Sequence, residues 1–180
     1  LRNHISNLSR STYHGEVVNG KKQGRGKLSY ANQEVYEGEW YMNDKNGFGK
    51  MIWEDKEESY QGMWVRNKMQ GLGTYLWFKK QRKILMLTNR YVGEFVESMR
   101  HGVGTFFYAD GSKYEGEFQK NLKHGLGVFT EQDGSVSVNM YYEDRLTENI
   151  SSKIEPDFFF HFFAYPNLKN PFDHVDREFN

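Results

Sequence analysis

The sequence predicts an all-β chain: an elongated, twisted antiparallel single sheet, laid down as a meander of stacked β-hairpins and followed by an irregular C-terminal tail. Three observations carry that expectation. Five segments open on Tyr-x-Gly, at Tyr13-His14-Gly15, Tyr36-Glu37-Gly38, Tyr60-Gln61-Gly62, Tyr91-Val92-Gly93 and Tyr114-Glu115-Gly116, with the tyrosines 23, 24, 31 and 23 residues apart. Eleven residues after each tyrosine stands Gly-x-Gly, at Gly24/Gly26, Gly47/Gly49, Gly71/Gly73, Gly102/Gly104 and Gly125/Gly127, so 15 of the 18 glycines belong to one repeat. Finally, 14 Phe, 12 Tyr and 4 Trp outnumber the 27 Leu, Ile and Val residues, so whatever this chain buries it buries by packing rings.

Taken in order, residues 1–12 read as a lead-in that continues an upstream segment, because the chain begins at Leu1 rather than Met and lacks a signal-peptide core. The array spans 13–148: five clear copies, an insertion near 78–90, and a decayed sixth copy at Ser137-Val138-Asn139-Met140-Tyr141. With each tyrosine as position 0, positions 0, 2 and 4 read Tyr, Gly and a large residue (Val17, Trp40, Trp64, Phe95, Phe118). Positions 11, 13 and 15 read Gly, Gly and an apolar residue (Leu28, Met51, Tyr75, Phe106, Phe129), and position 17 adds Tyr30, Trp53, Trp77 and Tyr108. A single parity means a single face, so each segment is a strand with one aromatic and glycine face. The other face of the first strand carries Glu16, Glu37, Glu39, Glu94, Glu115 and Glu117.

Turns rich in Asn and Lys (Asn19-Gly20, Asn43-Asp44, Asn67-Lys68) separate the strands of a copy, and Asp110-Gly111 and Asp133-Gly134 are turn dipeptides between copies. Centring the inner turn between positions 7 and 8 sets residues that sum to fifteen opposite each other. The tyrosine then faces position 15, Glu37 stands beside Lys50, and the ring at position 4 faces the glycine at 11. On this register Gly38, Gly47, Gly49, Gly62, Gly71, Gly73, Gly93, Gly102, Gly104, Gly116, Gly125 and Gly127 are packing positions, slots that a neighbouring ring covers. The rings Tyr36, Trp40, Trp53, Trp64, Trp77, Tyr91, Phe95, Tyr108, Tyr114 and Phe118 form the scaffold of that face, or of a groove along it.

Balance and absence narrow the function. The 24 basic and 24 acidic residues cancel and are interspersed, unlike the basic face that nucleic-acid binding needs. There is no cysteine, hence no disulfide or thiolate zinc site, which fits a reducing compartment. No apolar run approaches the roughly 18–20 residues of a membrane-spanning helix.

The Tyr-x-Gly-Glu-Trp and Gly-x-Gly pattern at this spacing resembles the MORN repeat, over Tyr13 to Val136. That resemblance implies an elongated, twisted sheet with a groove on one side. A narrower one rests on Tyr75-Leu76-Trp77-Phe78-Lys79-Lys80, the lengthened connection, Asn89-Arg90-Tyr91-Val92-Gly93-Glu94-Phe95-Val96, Arg100 to Ala109 and Lys123-His124-Gly125-Leu126-Gly127. These segments resemble the radial spoke head protein ten family. The resemblance implies a structural component of the radial spoke head in the axoneme of motile cilia and flagella, a cytoplasmic, cytoskeletal location, and other spoke-head subunits as partners. Two features depart from it: Met63 stands where an acidic residue is usual, and nothing from Asn149 onward matches.

No residue set reads as catalytic, cofactor-binding or metal-ligating. His101 and His124 precede their Gly-x-Gly pairs and read as turn residues that recur because the turn recurs; His4, His14, His161 and His174 lack ligand spacing. Glu37 and Glu39 recur with the repeat, whereas a catalytic pair is singular and set in two different environments. Gly-x-Gly lacks a following helix and a Walker lysine, so it is packing rather than a phosphate cradle. The insertion puts Lys79, Lys80, Arg82 and Lys83 ahead of Ile84, Leu85, Met86 and Leu87. A loop holding Leu85, Met86 and Leu87 outward favours a protein neighbour over lipid, since each cation adds only about 1 kcal/mol at an anionic surface.

The tail, 149–180, packs Phe158, Phe159, Phe160, Phe162, Phe163 and Tyr165 into eight residues without helix or strand period. Two readings stay open. These rings cap the open edge of the last hairpin, or Phe159, Phe160, Phe162 and Phe163 anchor in a partner. The expected function is a non-enzymatic scaffold for protein–protein contacts, with self-association left open. The alternatives are a membrane- or phosphoinositide-associated module and the repeat region of a larger enzyme.

Overall fold

The two glycines per strand pair dictate how closely the strands meet. In the computed structural model, which describes residues 11–81 and 84–153, they lie directly opposite one another through the first ten strands: Gly15 to Gly26, Gly26 to Gly38, Gly38 to Gly49, Gly49 to Gly62, and so on to Gly116 and Gly127. Twelve antiparallel strands follow chain order without a crossover. They are β1 (Thr12–Val18), β2 (Lys21–Ser29), β3 (Val35–Tyr41), β4 (Asp44–Trp53), β5 (Glu58–Val65) and β6 (Lys68–Gln81). The second half holds β7 (Ile84–Val96), β8 (Met99–Phe107), β9 (Lys113–Gln119), β10 (Leu122–Thr130), β11 (Val136–Tyr142) and β12 (Arg145–Asn149), then a 3-10 turn, Ser151–Lys153. At ~4.8 Å per strand step the sheet runs roughly 50 Å. The decayed sixth copy forms β11 and β12, with Ser137, Asn139 and Tyr141 at the Tyr, Gly and large-residue positions.

The register agrees with the sequence reading at one end of each hairpin and departs from it at the other. Tyr36 faces Met51, Glu37 faces Lys50 and Gly38 faces Gly49, but Trp40 faces Lys45 at position 9 instead of Gly47 at position 11. The inner turn is centred between positions 6 and 7, and a bulge that sets three residues against one restores the sum of fifteen beyond it. The reason lies in backbone twist. Each inner turn is a two-residue loop with both residues at positive φ: Asn19-Gly20, Met42-Asn43, Arg66-Asn67, Glu97-Ser98, Lys120-Asn121 and Glu143-Asp144. That mirror-image turn matches strand twist, and its short loop forces the mismatch into the strand. Position 11 absorbs it, with positive φ at Gly24, Gly47, Gly71, Gly102 and Gly125. The ring at position 4 does face a position-11 glycine, but across the next interface: Trp40 faces Gly24 and Trp64 faces Gly47 of the preceding copy.

This divides the repeated glycines into two kinds. Gly49, Gly73, Gly104 and Gly127 lie under the tyrosine of their own copy, where an added Cβ would come within 3.0 Å of ring atoms. Gly38, Gly62, Gly93 and Gly116 meet the same tyrosine hydroxyl and the facing glycine. The bulge glycines Gly47, Gly102 and Gly125 lie against Glu39, Glu94 and Glu117, whose side-chain atoms are the nearest an added Cβ would meet. The position-3 glutamates are therefore more than a solvated face. Glu16 Oε1 accepts from the Arg25 amide at 2.9 Å and Glu94 Oε1 from the Val103 amide at 3.3 Å, which satisfies the donor that the bulge takes out of the ladder. Where Met63 stands instead, Gly71 has only the Met63 Cβ nearby, at 3.9 Å.

Inner turns also clamp each copy to the one before. The second turn residue donates its backbone N–H to the position-9 carbonyl and accepts the position-9 N–H on its side chain. Asn43 does this with Lys22, Asn67 with Lys45, Ser98 with Met69, Asn121 with Arg100 and Asp144 with Lys123. The insertion is no loop. β6 and β7 pair from Gly71/Phe95 out to Gln81/Ile84, with one register shift between Trp77 and Phe78, in a hairpin that extends well past its neighbours.

Candidate interaction surface

On one face the rings assemble into two rows. In the first, tyrosines at position 0 and rings at position 4 alternate edge-to-face at centroid separations of 4.9–5.7 Å: Tyr13, Trp40, Tyr36, Trp64, Tyr60, Phe95, Tyr91, Phe118, Tyr114, Tyr141. Tyr36, Tyr60, Tyr91 and Tyr114 are 0% exposed although no second layer covers this sheet among the described residues, so the neighbouring rings themselves bury them. Each of these hydroxyls donates to the backbone carbonyl of the position-3 residue, at 3.0–3.1 Å. Desolvation pushes all four phenols well above the usual tyrosine range. Trp40 and Trp64 also donate their indole N–H to the carbonyls of Gly26 and Gly49, at 3.0 and 3.1 Å. This row is the core.

The second row is the surface. Trp53, Tyr75, Trp77, Phe106, Tyr108 and Phe129 run in contact at 4.5–5.8 Å and stay half-buried. Tyr75 donates its hydroxyl to Glu58 Oε2 at 2.6 Å. Thus the sequence-predicted rings divide by depth: Tyr36, Trp40, Trp64, Tyr91, Phe95, Tyr114 and Phe118 are buried, while Trp53, Trp77 and Tyr108 present an open side.

Sequence reasoning missed the cations on this same face. The bulge pairs position 9 with position 4 of its own copy, on the ring face, and the cation there reaches the position-4 ring of the next copy: Lys22 over Trp40 (4.9 Å), Lys45 over Trp64 (4.5 Å), Arg100 over Phe118 (5.4 Å, and Phe106 of its own copy at 5.2 Å) and Lys123 over Tyr141 (4.9 Å). Such contacts contribute about 0.5–2 kcal/mol, more as water is excluded. Burial lowers the Lys45 and Lys123 ammonium pKa values below the ordinary lysine range. The signal is present in the sequence, since position 9 shares the parity of positions 11 to 17. In the third copy Met69 takes this place and is buried.

The remaining candidates separate by placement. His101 and His124 are strand residues, not turn residues: His101 lies in the bulge of β8, and His124 pairs with Glu117 at the border of the bulge of β10. The His124 ring packs on Tyr142 at 5.3 Å. Among the described residues no three His, Asp or Glu side chains gather as a metal site. Glu37 pairs with Lys27 of the preceding copy at 3.3 Å, both half-exposed, an interaction that contributes little. A hollow of about 210 Å³ on the opposite face is bounded by Ile52, Glu57, Ser59, Leu76, Phe78 and Lys80. On the extended hairpin Ile84, Met86 and Leu87 are 67%, 51% and 53% exposed, and the Leu85 side chain lies outside the described ones. Phe159, Phe160, Phe162 and Phe163 lie outside the described residues.

An open sheet of near-identical hairpins, with a ring-packed core and one aromatic, cation-studded face, defines a repeat protein of the interaction class. The MORN repeat family matches residues 13–35, 36–57, 60–82, 91–113 and 114–136, more than half of the chain. The chain belongs to the MORN-repeat family, whose arrays are commonly modules of protein or membrane interaction and are typically non-catalytic.

Proposed function

We propose that this chain is a structural scaffold that binds other protein subunits through its aromatic face, within the radial spoke head of the ciliary or flagellar axoneme. The observation that carries the scaffold reading is the second ring row: Trp53, Tyr75, Trp77, Phe106, Tyr108 and Phe129 form a continuous half-buried band. Buried aromatics carry much of the energy of protein interfaces. The cations already rest on rings, which favours a shaped protein partner over a lipid surface. The axonemal part rests on the resemblance of residues 75–109 and 123–127 to the spoke-head family, including the place of the insertion.

The test is co-purification of the tagged full-length protein from salt-extracted axonemes, beside a Trp53→Ser/Trp77→Ser/Phe106→Ser variant and a flotation assay with phosphoinositide vesicles. The scaffold reading expects spoke-head subunits with the parent protein and their loss with the variant. Flotation without subunit capture would replace it with the membrane reading.

A further inference from the structure

The third copy breaks the rule of its own repeat in one place. Position 3 is Glu16, Glu39, Glu94 and Glu117 in the other four clear copies, and Met63 here. The exchange leaves the Gly71 bulge without the carboxylate that lies against Gly24, Gly47, Gly102 and Gly125, and the Met63 side chain stays 42% exposed. A local rule broken at a cost, with no burial in return, marks a position that serves function.

Met63 lies on the ring-free face, because its neighbour Trp64 points into the ring row. It stands opposite Phe48 on β4, and Leu72 follows on β6, paired with Glu94 on β7. Leu72 is 44% exposed and Phe48 is half-buried. Nearer the inner turns, Tyr41, Val65 and Val96 are exposed on the same face. Elsewhere a glutamate interrupts this row at position 3: Glu39 faces Arg25, and Glu117 faces Val103. Leu126 and Met140 form a second apolar pair, but both are half-buried and Glu148 stands beside them. The border of the patch is acidic. Glu39 on β3 and Glu94 on β7 close it on its two sides, and neither has an ion-pair partner among the described residues. Lys68, opposite Val65, is paired with Glu97.

We propose that the patch centred on Met63 docks a basic amphipathic helix of a partner protein, lying across β4, β5 and β6 between Glu39 and Glu94. The spacing favours a helix. Strands follow at ~4.8 Å, and a helix rises ~1.5 Å per residue, so apolar side chains at i, i+3 and i+7 meet Phe48, Met63 and Leu72 in turn. Lys or Arg about one turn beyond either end then reaches Glu39 and Glu94. A strand returns to one face only every ~6.8 Å and falls out of step. The two carboxylates select cationic flanks and oppose an anionic membrane as like charge. Methionine suits the centre, since its unbranched thioether adapts to the side chains laid on it. This goes beyond the scaffold reading, which uses the opposite face, so either can fail without the other.

The experiment uses the full chain with isotopically labelled methionine methyl groups and a designed helical peptide of about 14 residues, with Leu at the three apolar places and Lys at both ends. A second peptide carries Glu in place of Lys. Fluorescence anisotropy gives the affinities, and the methyl spectrum locates the contact. The lysine peptide should shift the Met63 signal and bind roughly tenfold or more better than the glutamate peptide, with a similar loss in Met63→Glu and in Leu72→Gln. Thermal melts of both variants show that the lost binding is not lost folding. Undiminished binding by Met63→Glu, equal affinity for the two peptides, shifts confined to Met51 and Met69 on the ring face, or no binding of the lysine peptide would each overturn the proposal.

Discussion

Gly104→Ala offers the sharpest test of how this sheet holds together. Gly104 sits on β8 beneath the Tyr91 ring, where a new Cβ would lie closer than 3.0 Å to the ring and its hydroxyl. Tyr91 has nowhere to retreat. It is 0% exposed, its ring is held edge-to-face by Phe95 and Phe118 at 5.2 and 5.0 Å, and its hydroxyl donates to the Glu94 carbonyl at 3.1 Å. Overpacking typically costs ~1–3 kcal/mol. Displacing the hydroxyl adds ~0.5–1.5 kcal/mol. The sum is about 1.5–4.5 kcal/mol, or roughly 3–18 °C in Tm at ~2–4 °C per kcal/mol. The matched control is Gly134→Ala, at φ +86° with no atom within 4 Å of its Cβ, which carries only the left-handed backbone term of ~1–2 kcal/mol. Thermal and urea denaturation of both variants, repeated in a Tyr91→Ala background, separate the causes. The clash should shrink by more than ~1 kcal/mol once the ring is gone. If Gly104→Ala is no worse than Gly134→Ala, or keeps its full cost without the ring, the glycine slot is not what the tyrosine occupies.

Three further outcomes follow from the same geometry. Met63→Glu should raise the urea midpoint by an amount equivalent to about 1 kcal/mol, by supplying the third bulge with the carboxylate that Glu16 and Glu94 place on theirs; an unchanged or lowered midpoint would remove the capping role. Asn121→Ala loses the side-chain bond to the Arg100 amide (2.8 Å) and leaves alanine at φ +75°, so stability should fall by ~1–3 kcal/mol. Hydrogen exchange should quicken first at Arg100, and uniform quickening across the sheet would argue against a local clamp. The raised phenols of Tyr36, Tyr60, Tyr91 and Tyr114 bind protons more tightly folded than unfolded, so their contribution is fully present below pH 10.0 and is lost as pH rises above it. Lys45 and Lys123, lowered by burial, work in the opposite sense but are fewer. Ultraviolet titration should therefore show these four tyrosines, and Tyr75 bonded to Glu58, ionising only with unfolding, and reversible ionisation of all 12 on an intact sheet would contradict the burial.

Period and composition alone were enough to determine the meander, the antiparallel order and the one-sided placement of the rings. The reason is physical: a strand has a side-chain period of two, so the parity of Tyr36, Gly38 and Trp40 leaves one face for them, and constant spacing makes every hairpin the same. The pairing of Glu37 with Lys50 followed from the same counting. What parity cannot show is a bulge that inserts an even number of residues. It leaves every face assignment intact and moves every partner on its far side, so Trp40 meets Lys45 in place of Gly47. Only the tertiary structure decided that Gly104 lies under a ring while Gly102 carries a positive φ beside Glu94. It also decided that Lys22, Lys45, Arg100 and Lys123 rest on the aromatic face, and that residues 78–81 and 84–87 pair as strands where a loop was expected. Each depends on where the chain turns and how its twist is absorbed, and these are settled by backbone geometry across strands far apart in sequence.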